Sequence, residues 1–457
     1  MWKTRVDVPH TPRPPAGSSS AIRTDISLRA PLNGMLSVNL LGPAWITPLA
    51  RVARVAGAPH SGQELTSFPS SVGRMTLRIT WDEASARRLE RQFLSVPARA
   101  GTPVAEVVGA MLGAHAQVLS AAEVSVGVRA EGVTRADVRA ALWEERSLVK
   151  TYGPRGTLHL LSATGLSFWT AALTAIPTGP SPFAQDARMT AAQADEVVAA
   201  IADALAGTSL TIDELSEAVV ARTGTWAGDL VMPAFQGMWP RWRQVMHRAG
   251  QRGVLCLGPN RGRKVTYTRP PHFRPMAADE ALSLLVRRHL RAYGPATAAH
   301  FAQWAAAPRG WARDLFAALA DAGVIEEVDF AGGPAWVAAG DTDFPGEPAR
   351  GVRLLPYFDA YGIGCRPREL LFPGAAYERA LAGGQAGNHP VLLVDGVVSG
   401  VWHQRRSGRR TTVTVDPLVR LTAAQERELA RQAERVGEIL EATPELVVGK
   451  VTSGPHA

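Results

Sequence analysis

The stretch VTRADVRAALWEERSLVKTYGPRGTLHL, residues 133–160, decides how this chain is read. Thr134 stands where a helix needs an N-cap, and a helix is predicted over 134–145. Residues 148–161 then alternate around Gly153-Pro154-Arg155-Gly156, a hairpin signal. The same succession returns over 210–267 and 294–337. Helix, helix and β-hairpin in tandem outline a winged helix, which lays one helix in a DNA groove and the hairpin alongside. The expected fold is α+β and multidomain. Three winged-helix units are followed by a small C-terminal β-barrel and preceded by a disordered arm.

Working outward gives the boundaries. Residues 1–74 carry eight Lys/Arg against three Asp/Glu and a Pro/Ser-rich run at 12–20, with no sustained helical period. They read as a disordered basic arm, or as a mis-assigned start with the protein beginning near Met75. The first unit is assigned to 75–185. Its helices are expected at 82–94 and 103–120, the latter with Val104, Val107, Val108, Met111, Leu112, His115 and Leu119 on one stripe. The second unit, 186–275, has a capping-box match at Thr211–Glu214, a recognition helix over 239–251 and a wing around Pro259-Asn260-Arg261-Gly262. The third, 276–345, turns its wing at Gly332-Gly333. In the last region, 346–457, short strands at 352–355, 391–394, 397–402 and 411–415 lead to one helix over 423–442.

A chain of 457 residues is too long for one core. A net charge of +8 favours a polyanionic partner, although five of those charges belong to the arm. Cys256 and Cys365 are far apart and form no CxxC, which argues against a disulfide framework or zinc site and fits a reducing cytoplasm. The longest apolar stretch, 34–50, is interrupted by Asn39, Pro43 and Pro48, so no membrane span is expected. Deaminase, P-loop, zincin and EF-hand signatures are missing. Of the four lysines only Lys150 lies near the proposed site, which disfavours a Schiff-base lyase.

Gly113-Ala114-His115-Ala116-Gln117 followed by RGTLHL at 155–160 resembles the winged-helix DNA glycosylases of bacteria that excise alkylated purines and unhook crosslinks. Leu355-Pro356-Tyr357-Phe358-Asp359 and Val394-Asp395-Gly396…Gly400-Val401-Trp402 extend the likeness from about Met75 to Val448. The resemblance implies a catalytic Gln-x-Gln pair. Its positions here are His115 and Gln117, so the first Gln is replaced by His.

Each candidate residue has a plainer reading beside the functional one. His115 lies on an apolar stripe, as a buried core histidine would. In a regular helix, residues two apart point about 200° from each other. His115 and Gln117 therefore share a cleft only if the helix ends or distorts between them. Arg155 and His159, in the first wing, are structural or DNA-facing. Asp359 either positions a catalytic group or caps a turn. Arg405, Arg406, Arg409 and Arg410 sit at one tight turn and suit phosphates or a narrow minor groove, or form a solvated charge run. Arg243 on the second recognition helix, with Arg263 and Lys264 in its wing, forms a further phosphate surface. Trp239 and Trp242 read as core anchors. The expectation is a monomeric, cytoplasmic, nucleoid-associated glycosylase acting on alkylated double-stranded DNA with no metal or other cofactor. The alternative is a non-catalytic DNA-binding protein on the same scaffold.

Overall fold

The computed structural model describes residues 77–179, 183–234, 237–381 and 384–454, so the arm expected over 1–74 lies outside the described residues. Threonine caps set the helix starts. Thr134, Thr190, Thr211 and Thr297 each accept from the backbone N–H three residues on, and the side chain at that position returns a bond to the Thr backbone. Three times the helices close on a three-stranded sheet whose last two strands are a predicted hairpin. The first sheet orders Ala114–His115, Leu158–Ser162 and Leu148–Tyr152. The second orders Leu210–Thr211, Lys264–Thr268 and Cys256–Arg261. In the third, Arg78–Ile79 adds an unexpected parallel strand to the Ile325–Phe330 and Gly333–Ala338 hairpin.

Two predicted helices are corrected. The one expected over 103–120 runs only from Val104 to Ala110. Leu112 and Gly113 take φ of 55° and 92°, which no α-helix continues through, and the chain leaves as a strand. A Cβ on Gly113 would lie 2.8 Å from Leu161 Cδ2 and 3.3 Å from the Leu160 carbonyl oxygen, so the reversal needs glycine for space as well as for φ. The helix expected over 239–251 starts later, as a 3-10 turn at Arg241–Val245 continuing into Met246–Gln251. Pro240 stands at its entrance, where a missing N–H costs nothing, and Trp239 belongs to a hairpin of Leu230–Ala234 with Gly237–Pro240. Trp242 is a core anchor with its Nε1 donating to Ser216, whereas Trp239 is 43% exposed.

The C-terminal region is not a closed barrel. Its strand order, Val352–Leu355, Val391–Val394, Val397–Ser407, Arg410–Pro417 and Thr443–Val448, is linear, giving an open half-barrel. The last strand, absent from the sequence reading, pairs in parallel with Arg410–Pro417 and sits at one edge. The helix Ala423–Ile439 buries Leu429, Ala433, Val436 and Ile439. These join the same apolar cluster as Leu290 and Phe301 of the third unit and Leu354 and Trp402 of the half-barrel. A common core therefore fixes the first-unit sheet against its neighbours through Leu161. Among the described residues no helix is long and apolar enough to cross a membrane.

Candidate active site

The early end of the Val104–Ala110 helix changes what His115 can do. As a strand residue it pairs with His159, and Thr151 lies opposite His159 on the far side. The extended run continues one residue further, because Ala116 N–H donates to the Leu158 carbonyl at 2.7 Å. Alternation sends Ala114 and Ala116 into an apolar cluster with Leu160. His115, on the opposite face, is buried, and Gln117, half-buried, lies past the strand end in a bend just before the Leu119–Gly127 helix. The helical geometry that would set the two side chains about 200° apart does not apply here.

His115 is held as a neutral imidazole. Burial, reinforced by the charges of Arg155 and Lys150, pushes its pKa down to about 3. Its Nδ1 is sealed from solvent without a hydrogen-bond partner. An orphan lone pair costs less than an orphan N–H, which puts the ring proton on Nε2. His159 is buried too, and burial holds its pKa well below the usual value. Its Nδ1 lies 2.9 Å from the Thr157 carbonyl, an acceptor only, so that nitrogen carries the hydrogen. The two rings meet edge to face at 5.2 Å, and the ring of Phe358 lies against His115 at 4.5 Å.

Arg155 is not a freely solvated turn residue. In a left-handed conformation with φ 62°, it donates from Nη1 to the Trp304 carbonyl at 2.8 Å, tying the Leu148–Ser162 hairpin to the Ala298–Ala305 helix. Burial lowers its guanidinium to about 10, so it stays charged beside the histidines. Asp359 is buried and makes a bidentate pair with Arg129, both contacts at 2.7 Å. It also accepts from Ser125 Oγ at 2.6 Å and from Tyr361 N–H at 3.0 Å, so it caps the Ala360–Gly364 helix as well. Sequence reasoning missed Ser125, Arg129 and Phe358. The one available signal was Arg129 itself, a charge at the end of the valine-rich stretch Val124-Ser125-Val126-Gly127-Val128 that burial would oblige to find a carboxylate.

The basic candidates separate by compensation. Lys264 is paired with Asp213, and its neighbours Arg261, Arg248 and Arg252 are paired with Glu214 or Asp195. Arg243 stacks on the Trp239 ring at 4.0 Å. Arg263 is exposed, with no ion pair among the described residues. Arg405, Arg406, Arg409 and Arg410 are all exposed at the tip of the half-barrel's long hairpin. None of the four arginines of that hairpin is compensated by a carboxylate among the described residues. A groove of about 660 Å³, lined by Arg91, Glu106, Trp169, Arg288 and Arg291, reaches Gly113 but not His115 or Gln117. Among the described residues no group of His, Cys, Asp and Glu could hold a metal ion.

Comparison with known proteins decides the family. Residues 108–439 match the family model described as DNA glycosylase AlkZ-like. The chain belongs to the AlkZ-like DNA glycosylase family. It is 32% identical over 343 residues to an interstrand DNA cross-link repair glycosylase of Streptomyces sahachiroi, covering 71% of this chain and 88% of that protein. The solved structure of the Streptomyces sahachiroi DNA glycosylase AlkZ superposes with a TM-score of 0.67 at 28% identity, over 82% of this chain and 100% of that one. This AlkZ-like chain is thus a bacterial DNA glycosylase of DNA repair. The family match also includes the segment from His115 to Asp359 that frames the two histidines.

Proposed function

We propose that this glycosylase is monofunctional and metal-independent, hydrolysing the N-glycosidic bond of alkylated purines in double-stranded DNA at His115 and Gln117. The observation that carries this reading is that the chain is not helical between His115 and Gln117, two residues apart at the end of an extended segment, with the imidazole buried and neutral. Alkylation at purine N3 or N7 leaves a cationic base that is already a good leaving group. The protein has only to place a water near the anomeric carbon and tolerate an oxocarbenium-like sugar. The Gln117 amide oxygen accepts from such a water without adding charge, and an Nε2–H on His115 donates to it. A charged imidazole would oppose the developing cation; a neutral one does not.

In this reading the three helix-and-hairpin units are tandem winged helices that embrace the duplex. Arg405, Arg406, Arg409 and Arg410 grip its backbone, with Arg243, Arg263 and Lys264 as a second contact and Arg155 and His159 behind the lesion. The protein works as a cytoplasmic, nucleoid-associated monomer. His115 in place of Gln favours one rival, a DNA-binding protein that shields lesions without cleaving them. Single-turnover assays on duplexes carrying N7-alkylguanine, N3-alkyladenine or an alkyl crosslink separate the two. Release of free base from at least one is expected, and binding without release from any would leave the rival standing. Replacing Arg405 and Arg409 by alanine is expected to make the slope of log affinity against log salt shallower by about 2. Titrations at several salt concentrations measure this, and an unchanged slope moves the backbone contact elsewhere.

A further inference from the structure

The backbone of Phe358 is strained, with a φ of 54° that bulky side chains rarely adopt. Several contacts hold it there. Phe358 N–H donates to the Gly387 carbonyl at 3.0 Å. Gly387 is itself at φ 99°, and a Cβ on it would sit 2.9 Å from the Phe358 ring. The next residue, Asp359, is fastened by Arg129 and Ser125. Ser125 belongs to the Leu119–Gly127 helix and Arg129 follows it, two residues on. That helix begins two residues after Gln117. The segment bearing His115 and Gln117 and the loop bearing Phe358 are thus anchored to one helix. Strain kept in place by surroundings that over-determine it concentrates at functional sites.

We propose that Phe358 is a positioning residue for His115: clamped through Asp359, its ring caps the imidazole against water, so that His115 meets the nucleotide as a fixed neutral dipole. This rests on the glycosylase reading of His115. The other groups acting on the imidazole are His159 from the paired strand, Arg155 from the hairpin turn and, through its charge, Lys150, which alternation turns to the Leu160 face of the sheet. All are neutral or cationic. Asp359, the nearest acid along the Phe358 loop, is committed to Arg129. Glu123, buried on the Leu119–Gly127 helix, is committed to Arg139, so no acid named among the described residues is left to stabilise an imidazolium. The burial that keeps the ring uncharged comes in part from Phe358, which lies against it at 4.5 Å.

Phe358→Gly and Phe358→Asn remove the ring while suiting the left-handed backbone, so both are expected to fold. In either variant His115 becomes hydrated, and its imidazole resonances should titrate above about pH 5, toward the ordinary value near 6.5. In the parent protein they should not titrate in that range. After subtraction of spontaneous depurination, base release by the parent should be flat between about pH 5 and 8. The variants should lose about tenfold below pH 6 and recover toward pH 8. Phe358→Leu, which keeps an apolar cover, should restore the flat profile. If the glycine and asparagine variants titrate like the parent, the proposal is overturned. Because the titration is read on free protein, it stands even if no lesion is ever cleaved, and the two readings fail separately.

Discussion

Gln117→Ala is expected to lower single-turnover base release by about 10²–10³-fold, the usual cost of removing one preorganised polar group from a reacting centre. Duplex affinity should change by less than about threefold, because Gln117 is half-buried and carries no charge for the phosphates. Uncompensated arginines at 405–410 lie in a different element from the extended segment at 114–116, so binding and chemistry can be lost one at a time. Electrophoretic shift and base-release assays on one preparation supply both numbers. If affinity and release fall in parallel, Gln117 holds the DNA and does no chemistry, and the site must be sought elsewhere.

The hairpins were legible because their signals are local. Gly153-Pro154-Arg155-Gly156 and Gly332-Gly333 fix turns within four residues, and the Thr caps fix helix starts in the same way. The strand at Ala114–His115 was hidden for a physical reason. Val104 to Leu119 satisfies a helical period, and what breaks it is a glycine whose role depends on Leu161, some fifty residues away in the chain. Strand pairing of that kind is non-local and leaves little trace in a window of a dozen residues. The helix predicted over 239–251 was overextended for a similar reason. Trp239 continues the apolar pattern, yet Pro240 sets the boundary and the preceding residues pair as a hairpin. In the candidate site, His115 and Gln117 were nominated by a motif. Phe358 and Arg129 were not, because a ring contact and a buried ion pair spanning 230 residues are products of the finished fold.

The second large effect concerns stability. Asp359→Ala leaves the Arg129 guanidinium buried with its counter-charge gone, which costs about 3–5 kcal/mol where such pairs have been broken. For a chain this size that should lower the melting temperature by about 3–5 °C. The carboxylate has a second task, capping Tyr361 N–H, which alone is worth about 1 kcal/mol. Asp359→Asn separates the two, since an amide oxygen still caps but no longer neutralises Arg129. If the ion pair dominates, the asparagine variant should melt nearly as low as the alanine variant. If the cap dominates, it should melt close to the parent. Replacing both partners by apolar residues, Asp359→Leu with Arg129→Met, should recover most of the loss, because the desolvation of two charges is removed together with their attraction. Thermal melts of the four proteins decide the matter. A double variant as unstable as the alanine single would mean that the loop needs the hydrogen bonds themselves, from Ser125 and Tyr361, more than it needs the charge balance.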